Sequence, residues 1–246
     1  DLSDQQSIRD YAQGFLATGE TIDVLINNAG VMVCPFGKTA DGIEMQFGTN
    51  HIGHFLLTNL LMPAILAGAN PRIVNLSSAG HTHSDVNLDD PNFEKSEYNA
   101  WESYGRSKSA NIHFTQEIVR RYGDRIQSFA VHPGVIMTEL GRHLTPELMN
   151  EMTERVKSRA TSSSEAKETG ALPFKSVEAG AATQVWASVT ENLSENNGAY
   201  LGDCQVGVEG GNPSESGYLP YIFNKDTAEA LWSLSEKLVK QEFPHL

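Results

Sequence analysis

The chain has 246 residues, of which 39% are hydrophobic, and its 31 acidic and 18 basic residues give a formal net charge of -13. This length and apolar content suit one α/β domain with a full core, while the negative charge argues against nucleic acid or an anionic membrane surface as a partner. No apolar run reaches the roughly 18 residues that a transmembrane helix needs, and the N-terminus lacks the features of a signal peptide. Cys34 and Cys204 are interpreted as reduced thiols. We therefore expect a cytoplasmic protein.

The first predicted element is a helix that follows Asp1 and Leu2. Ser3 can cap it, with Gln6 completing a capping box, and apolar residues then recur at helical spacing. The run from Ile22 to Ile26 predicts a parallel strand that ends in the turn Asn27-Asn28-Ala29-Gly30. Asn and Gly suit any tight turn, but small residues also let the backbone approach a flat ligand. The order of the motifs further along the chain favours the second interpretation.

A helix is predicted from Asp41 to about Leu66, because a broad apolar face repeats over these residues. Asn50 lies in the middle of that face, where a polar side chain must find a buried partner. His51 and His54 lie nearby, but no carboxylate or cysteine joins them at the spacing of metal ligands. We therefore predict no metal site.

The run from Arg72 to Ser78 predicts the next buried strand. Active sites of open α/β sheets lie beyond the carboxyl ends of the strands, and this is where Ser77 and Ser78 fall. The long segment between Ser78 and Tyr104 is rich in Asp, Asn, His and Ser. Such a segment is either functional or a solvated surface excursion, and both interpretations stay open.

A helix predicted from Ser103 to Tyr122 carries Tyr104 and Lys108. Residues four apart share one helix face, so the ammonium group can lie beside the phenol and favour its ionised form. A tyrosine with a lowered pKa can transfer protons near neutral pH. The same spacing recurs at Tyr221 and Lys225, where no strand ending in Ser-Ser precedes it, and we interpret that second copy as surface or packing.

Strands and helices are predicted to alternate up to the C-terminus. The strand from Ile126 to Val131 leads into a turn at Pro133-Gly134. Residues 139–175 combine an amphipathic helix, Pro146 to Val156, with a Ser- and Thr-rich loop, Ala160 to Glu165. A helix over 177–189, a last strand over 199–204 and a helix over 226–243 follow, the last one for packing or for a homo-oligomer contact.

As an ordered set, these motifs resemble the short-chain dehydrogenase/reductase family, most closely its subgroup of retinol dehydrogenases and the oxidoreductase domain of WW-domain oxidoreductase. The resemblance runs from the first residue to about Gly210, and it implies a Rossmann-like, doubly wound parallel sheet. It also implies hydride transfer between NADP or NAD and an alcohol or carbonyl. The motifs are Asn27-Asn28-Ala29-Gly30, Asn50-His51-Ile52-Gly53-His54-Phe55, the strand ending in Ser77-Ser78, Tyr104-Gly105-Arg106-Ser107-Lys108, and Pro133-Gly134.

The resemblance assigns catalytic roles to four residues. Tyr104 would exchange a proton with the substrate oxygen, and Lys108 would lower the pKa of Tyr104 and bind the nicotinamide ribose. Ser78 would hydrogen-bond to the substrate oxygen, with Ser77 as the alternative if the register differs by one residue. Asn50 would hold a water molecule beside the lysine in a proton relay.

The resemblance also implies which residues contact the cofactor and the substrate. The cofactor-binding residues would be Asp1, Leu2, Asn28, Ala29, Gly30, Tyr104, Lys108, Pro133, Gly134, Val135 and Thr138. The substrate-binding residues would be Ser78, His81, Trp101 and Leu140. Residues 139–175 would form a mobile lid, and its apolar residues Leu140, Leu144, Leu148 and Met149 favour a lipophilic alcohol or ketone as substrate.

One motif of the family, Thr-Gly-x-x-x-Gly-x-Gly, does not precede Asn27 in this sequence. We therefore expect the chain to begin within the fold, without the first two strands and roughly 60 residues, the size of two βα units. The apolar edge at 24–26 would then be unpaired, and the residues that choose between NAD and NADP would be absent. The chain would be either the incomplete sequence of a normal enzyme or a truncated, inactive product that acts as an interaction module.

Overall fold

The computed structural model of the protein describes residues 1–159 and 174–243. Within these ranges the helices are α1 (Gln5–Ala17), α2 (Met45–Phe47), α3 (Gly53–Leu66), α4 (Ala100–Tyr122), α5 (Pro146–Arg159), α6 (Val177–Val189) and α7 (Lys225–Val239). The strands are β1 (Val24–Asn27), β2 (Arg72–Leu76), β3 (Gln127–His132), β4 (Val135–Ile136), β5 (Phe174–Lys175), β6 (Tyr200–Gly202), β7 (Gln205–Val206), β8 (Val208–Glu209) and β9 (Gly217–Tyr218). A π-helical turn covers Gly48–Ile52, and 3-10 helices cover Ala79–His83, Glu139–Gly141, Glu191–Asn196 and Pro220–Phe223.

A five-stranded sheet with the strand order β1-β2-β3-β6-β7 forms the centre of the fold. β1, β2, β3 and β6 are parallel, and β7 returns antiparallel to β6. The side-chain amide of Asn27 donates to Oδ1 of Asn75 on β2 at 2.8 Å and to Oγ1 of Thr58 on α3 at 3.0 Å. These bonds fix the end of β1, where the Asn-Asn-Ala-Gly turn begins. The prediction of an α/β fold with a mainly parallel sheet is confirmed.

The two faces of the sheet are covered by different helices. Side chains from α1, α3, α4 and α7 share a large apolar core with the sheet, in which Phe55, Phe114 and Trp232 are almost completely buried. A smaller core on the other face contains Val74 and Phe129 from the sheet, and α6 covers it. The C-terminal helix α7 therefore packs against α4, and packing is one of the two roles predicted for it.

The start of α1 differs from the prediction. Its N-cap is Asp4, whose carboxylate accepts hydrogen bonds from the backbone N–H groups of Gln6 and Ser7 at 2.9 and 3.2 Å. The predicted capping box of Ser3 and Gln6 is wrong, because Asp4 lies directly before the first helical residue and reaches the N–H groups that lack a partner inside the helix.

The helix predicted from Asp41 to Leu66 begins later, at Met45. The buried carboxylate of Glu44 caps it by accepting from the N–H groups of Gln46 and Phe47 at 3.0 and 2.8 Å. The helix then passes through the π-helical turn, which contains Asn50. Turns of this kind are rare and are often found at functional sites.

The segment between Ser78 and Tyr104 has its own hydrogen bonds. The carboxylate of Asp90 accepts from the backbone N–H groups of Glu94 and Ser96 at 2.6 and 3.0 Å. The side chain of Asn99 then caps α4, which begins at Ala100, earlier than the predicted Ser103. This segment therefore fixes where the helix that carries Tyr104 begins.

The outer edge of β1 pairs with no strand in the described part of the chain. Val24 and Ile26 on this strand are 39% and 40% exposed, which agrees with the predicted unpaired apolar edge. Residues 160–173 of the predicted lid, including its Ser- and Thr-rich loop, lie outside the described residues. In the described ranges, every helix is too short or too polar to span a membrane.

Candidate active site

A cleft of about 500 Å³ lies at the carboxyl ends of β1, β2 and β3. In a parallel sheet these ends meet at one edge, where the loops after each strand can surround a ligand. The predicted site residues that line the cleft are Asn28, Ala29, Gly30, Ser78, Trp101, Tyr104, Lys108, Pro133, Gly134, Val135, Thr138 and Leu140. The structure therefore brings together residues from four separate segments of the sequence, 28–30, 78, 101–108 and 133–140.

Tyr104 and Lys108 lie on adjacent turns of α4 and both face this cleft. Each side chain is about 4% exposed. The ammonium nitrogen of Lys108 lies 5.6 Å from the centre of the Tyr104 ring and donates a hydrogen bond to the carbonyl oxygen of Leu76 at 3.1 Å. The helical spacing thus places the cation beside the phenol, while the end of β2 fixes the direction of the ammonium group.

The pKa of Tyr104 does not shift in the predicted direction. Burial raises this pKa to about 12, against which a hydrogen bond with Ser78 acts in the lowering direction. Loss of water around the phenol is the largest cause of this shift, and the predicted lowering of the Tyr104 pKa by Lys108 stays a prediction. Burial also lowers the pKa of Lys108 to about 8.

The two serines at the end of β2 face different partners. The Ser78 hydroxyl accepts from the backbone N–H of Gly80 at 3.0 Å, and the Ser78 side chain acts to lower the pKa of Tyr104. The Ser77 hydroxyl is buried and donates to the backbone carbonyl of Lys108 at 2.9 Å. Both serines line the cleft, and the hydroxyl of Ser77 holds α4 against the strand.

Asn50 lies behind the cleft and is completely buried. Its side chain accepts from the N–H of Val31 at 2.8 Å and donates to the carbonyl of Val31 and the hydroxyl of Ser107 at 2.9 and 3.0 Å. A Cβ atom added to Gly30 would lie 2.8 Å from Oδ1 of Asn50, so only glycine fits beside this amide. Asn50 thus positions the turn after β1, and its predicted role in holding a water molecule stays a prediction.

Two of the residues predicted to bind the cofactor do not line the cleft. The carboxylate of Asp1 accepts from the backbone and hydroxyl groups of Ser3, both at 2.8 Å. Leu2 packs against the main apolar core, and its carbonyl oxygen lies so close to Gly53 that a Cβ there would approach it to 2.5 Å. In this structure these residues form the start of α1 and its contact with α3.

The structure corrects the predicted substrate residue His81. Its ring is completely buried and its Nδ1 donates to the carbonyl of Ser78 at 2.7 Å, so it is not part of the cleft lining. His83 lines the cleft instead, stacked on Trp101 with the ring centres 5.1 Å apart. The 3-10 helix over Ala79–His83 causes this difference, because three residues per turn place His81 over the backbone of Ser78.

Several residues of the cleft were not predicted. Met32, Met152 and Arg155 add to its apolar wall and its rim, and Pro213 and Ser214 contribute from the loop before β9. The spacing of Met149 and Met152 on one face of the predicted lid helix is a signal that could have found Met152. Neither Pro213 nor Ser214 belongs to a motif that distinguishes it in the sequence.

His132, directly before Pro133-Gly134, is a further residue that the sequence reasoning missed. Its Nδ1 accepts from the N–H of Ala79 at 3.2 Å and from the N–H of Gly134 at 3.4 Å. Burial lowers the pKa of His132 to about 3, so the ring stays neutral and Nδ1 remains an acceptor at neutral pH. His132 thereby connects the loop after β2 to the loop after β3.

The remaining buried histidines have hydrogen-bond partners in the protein. His51 contacts the hydroxyl of Ser235 at 2.9 Å, and His54 donates from Nδ1 to the carbonyl of Asn50 at 2.9 Å. Burial lowers their pKa values to about 3 and about 4. Over residues 1–159 and 174–243, His, Cys, Asp and Glu form no group of three that could hold a metal ion.

Known proteins are similar to this chain over most of its length. The sequence profile of the family described as short chain dehydrogenase matches residues 1–148. Human retinol dehydrogenase 14 is 39% identical over 240 residues, which are 97% of this chain and 65% of the relative. Human retinol dehydrogenase 12 is 39% identical over 97% of this chain and 68% of its own length. The chain thus spans about two thirds of the length of these relatives.

Solved structures show the same fold. An uncharacterised protein from Mycobacterium paratuberculosis has a TM-score of 0.70 and 32% identity, with 99% of this chain and 75% of that chain covered. The NADPH-bound carbonyl reductase from chicken fatty liver has a TM-score of 0.52 and 22% identity, with 82% and 71% covered.

Proposed function

The chain belongs to the short-chain dehydrogenase family, and on this premise we propose that it transfers a hydride between NADP or NAD and a lipophilic alcohol or carbonyl compound. One observation carries the proposal: Ser78, Tyr104 and Lys108, which come from two different segments, line one cleft, with the ammonium nitrogen of Lys108 5.6 Å from the centre of the Tyr104 ring. A hydroxyl, a phenol and an ammonium group at one point form a site that can bind a carbonyl oxygen and supply a proton to it.

In the direction of carbonyl reduction, each group has a separate role. The Ser78 hydroxyl donates a hydrogen bond to the substrate oxygen, and the Tyr104 phenol donates the proton that this oxygen needs as it becomes an alcohol. The positive charge of Lys108 stabilises the phenolate that remains. The reverse reaction uses the same groups, with Tyr104 accepting the proton of the alcohol.

The cleft also has features that suit a flat nicotinamide ring. Gly30 and Gly134 line the cleft without a side chain; a Cβ at Gly30 would meet Oδ1 of Asn50 at 2.8 Å, and Gly134 has a φ of +87°, a conformation that favours glycine. The backbone of both turns can therefore approach a planar group closely. Asn28, Thr138 and Lys108 would hold the bound cofactor, which supplies or accepts the hydride.

The substrate part of the cleft is mainly apolar. Val33, Trp101 and Tyr104 form one buried cluster, against which Met32, Leu144, Leu148 and Met152 pack. Such a wall favours a substrate with a substantial hydrocarbon part. The retinol dehydrogenases, which are similar to this chain, are named after a lipophilic alcohol, and this supports an alcohol of that kind as the substrate. The cleft suits a small molecule as the partner.

The test replaces Tyr104 by Phe, which keeps the ring and removes the hydroxyl. We expect turnover to be lost while nicotinamide cofactor still binds, as followed by the fluorescence of the reduced nicotinamide. Tyr221→Phe is the matched control, because this tyrosine begins the second Tyr-x-x-x-Lys copy and its hydroxyl donates to the backbone of His81 instead of lining the cleft. Turnover by Tyr104→Phe at the wild-type rate would disprove the assignment.

A second candidate, an inactive interaction module, is favoured by one observation. Val24 and Ile26 of β1 are exposed at an edge that pairs with no described strand, and an apolar strand edge of this kind can pair with another chain. Titration with NADP and NAD distinguishes the two candidates. Binding in the micromolar range supports the enzyme, whereas failure to bind either cofactor supports the inactive module.

A further inference from the structure

Val33, beside the cleft, has a backbone conformation that valine rarely adopts. Its φ is +43°, in the left-handed region, and its side chain is 2% exposed. A branched side chain in this region is strained, and such strain persists only when the surrounding contacts hold the residue in place. Contacts from other segments must therefore hold Val33 in this conformation.

The side chain of Gln46 provides the hold. Its Oε1 accepts from the N–H of Val33 at 2.8 Å, and its Nε2 donates to the hydroxyl of Tyr98 and the carbonyl of Ala100, both at 2.9 Å. Gln46 is completely buried, so both of its N–H groups and its oxygen are used within the protein. The hydroxyl of Tyr98 in turn donates to the carbonyl of Cys34 at 2.8 Å, which closes the connection on the other side of Val33.

These bonds connect the two segments that form the apolar wall of the cleft. Val33 follows Met32, and Ala100 precedes Trp101; both Met32 and Trp101 line the cleft. Val33 and Trp101 also share the buried cluster that includes Tyr104. Gln46 is outside the cleft lining, so it acts on the shape of the wall through the backbone on either side.

We propose that Gln46 is a positioning residue that sets the shape of the apolar substrate wall by holding Val33 in its left-handed conformation and fixing it to Ala100. The functional consequence, selectivity for bulky lipophilic substrates, rests on the proposed function. Its structural part, the connection of the two segments through one amide, does not depend on catalysis.

The experiment compares Gln46→Met, Val33→Gly and the double variant. Methionine keeps the length of the side chain and removes all three hydrogen bonds, so amide hydrogen exchange should rise in both segments, 31–36 and 98–103. Glycine adopts a positive φ without strain. The loss of melting temperature caused by Gln46→Met should therefore be smaller in the Val33→Gly background than in the wild type.

Substrate kinetics test the functional consequence. For a bulky apolar alcohol or aldehyde, we expect Gln46→Met to raise KM at least tenfold, while the Kd of the nicotinamide cofactor and the kcat/KM of a short-chain substrate change less than twofold. The matched control is Gln116→Met. The Gln116 amide donates to the backbone of Gly198, away from the cleft, so its loss should affect stability without changing substrate selectivity.

Two results would overturn the proposal. Exchange that rises in 31–36 but not in 98–103 would show that Gln46 does not connect the segments, and equal changes for bulky and short substrates would show that it does not shape the wall. If the wild-type chain neither binds cofactor nor turns over substrate, the proposed function fails, and the exchange and melting experiments still decide whether Gln46 holds the wall.

Discussion

Gly80 lies against the ring of Tyr104, and replacing it by alanine tests whether the 3-10 helix after Ser78 sets the position of the phenol. A Cβ atom at residue 80 would lie 2.6 Å from Cε1 and 2.8 Å from Cδ1 of Tyr104, whereas ordinary contacts begin at 3.4 Å. The ring or the turn must therefore move by about 0.8 Å. Tyr104 is only 4% exposed, so it has little free space to move into.

The expected losses of rate and of stability follow from this displacement of about 0.8 Å. A misplacement of about 1 Å at a reacting group can reduce the rate by ~100-fold, and excess volume in a packed interior typically costs ~1–3 kcal/mol of the free energy of unfolding. We expect Gly80→Ala to show both effects, measured by steady-state kinetics and by urea unfolding.

The control for Gly80→Ala is Gly14→Ala. Gly14 lies within α1 and a Cβ there would meet no atom within 4 Å, so alanine should raise the unfolding free energy by ~0.5–1 kcal/mol and leave kcat unchanged. If Gly80→Ala matches the wild type in both kcat and unfolding free energy, the turn and the phenol are not coupled by this contact.

Two further predictions concern pH. Burial lowers the pKa of Lys108 to about 8 from 10.5. As the pH rises above 8, the folded protein therefore loses this proton before the unfolded chain does. The contribution of Lys108 to the free energy of unfolding should then rise between pH 8 and 10.5 by up to ~3 kcal/mol. Urea unfolding of the wild type and Lys108→Met across this range should diverge accordingly, and parallel curves would contradict the buried ammonium. On the acid side, His51 has its pKa lowered to about 3, so stability is lost as pH falls below 6.5, by ~1.4 kcal/mol per pH unit for this one residue. His51→Gln can keep the contact with Ser235 and should flatten the acid limb by that slope; an unchanged slope would show that His51 titrates normally.

The parts of the site that depend on local spacing could be predicted from the sequence. Tyr104 and Lys108 share a helix face because they are four residues apart, and Ser78 follows a buried strand whose carboxyl end had to lie at the active edge of the sheet. The close approach of α4 to the 3-10 helix could not be predicted. It depends on Gly80 and Gly105, where added Cβ atoms would meet the opposite segment at 2.6 and 2.8 Å.

The difference between His81 and His83 has the same origin. In an irregular loop, both histidines were equally able to face the substrate, and the 3-10 geometry decides which one does. Gln46 shows a second limit of sequence reasoning: a glutamine at the start of a helix is common, and its three side-chain hydrogen bonds join residues that are distant in sequence. Only the folded structure brings Val33, Tyr98 and Ala100 to one amide.

The acidity of Tyr104 depends on a balance that spacing alone does not fix. Helical spacing brings Lys108 near the phenol, but the ammonium group is directed to the carbonyl of Leu76 and remains 5.6 Å from the ring centre, while burial removes water from both groups. Desolvation therefore dominates, and the phenol keeps its proton at neutral pH. A protonated phenol is the form that carbonyl reduction consumes. In alcohol oxidation the phenol must first lose that proton, and the positive charge of an oxidised nicotinamide ring, together with Lys108, would favour the loss.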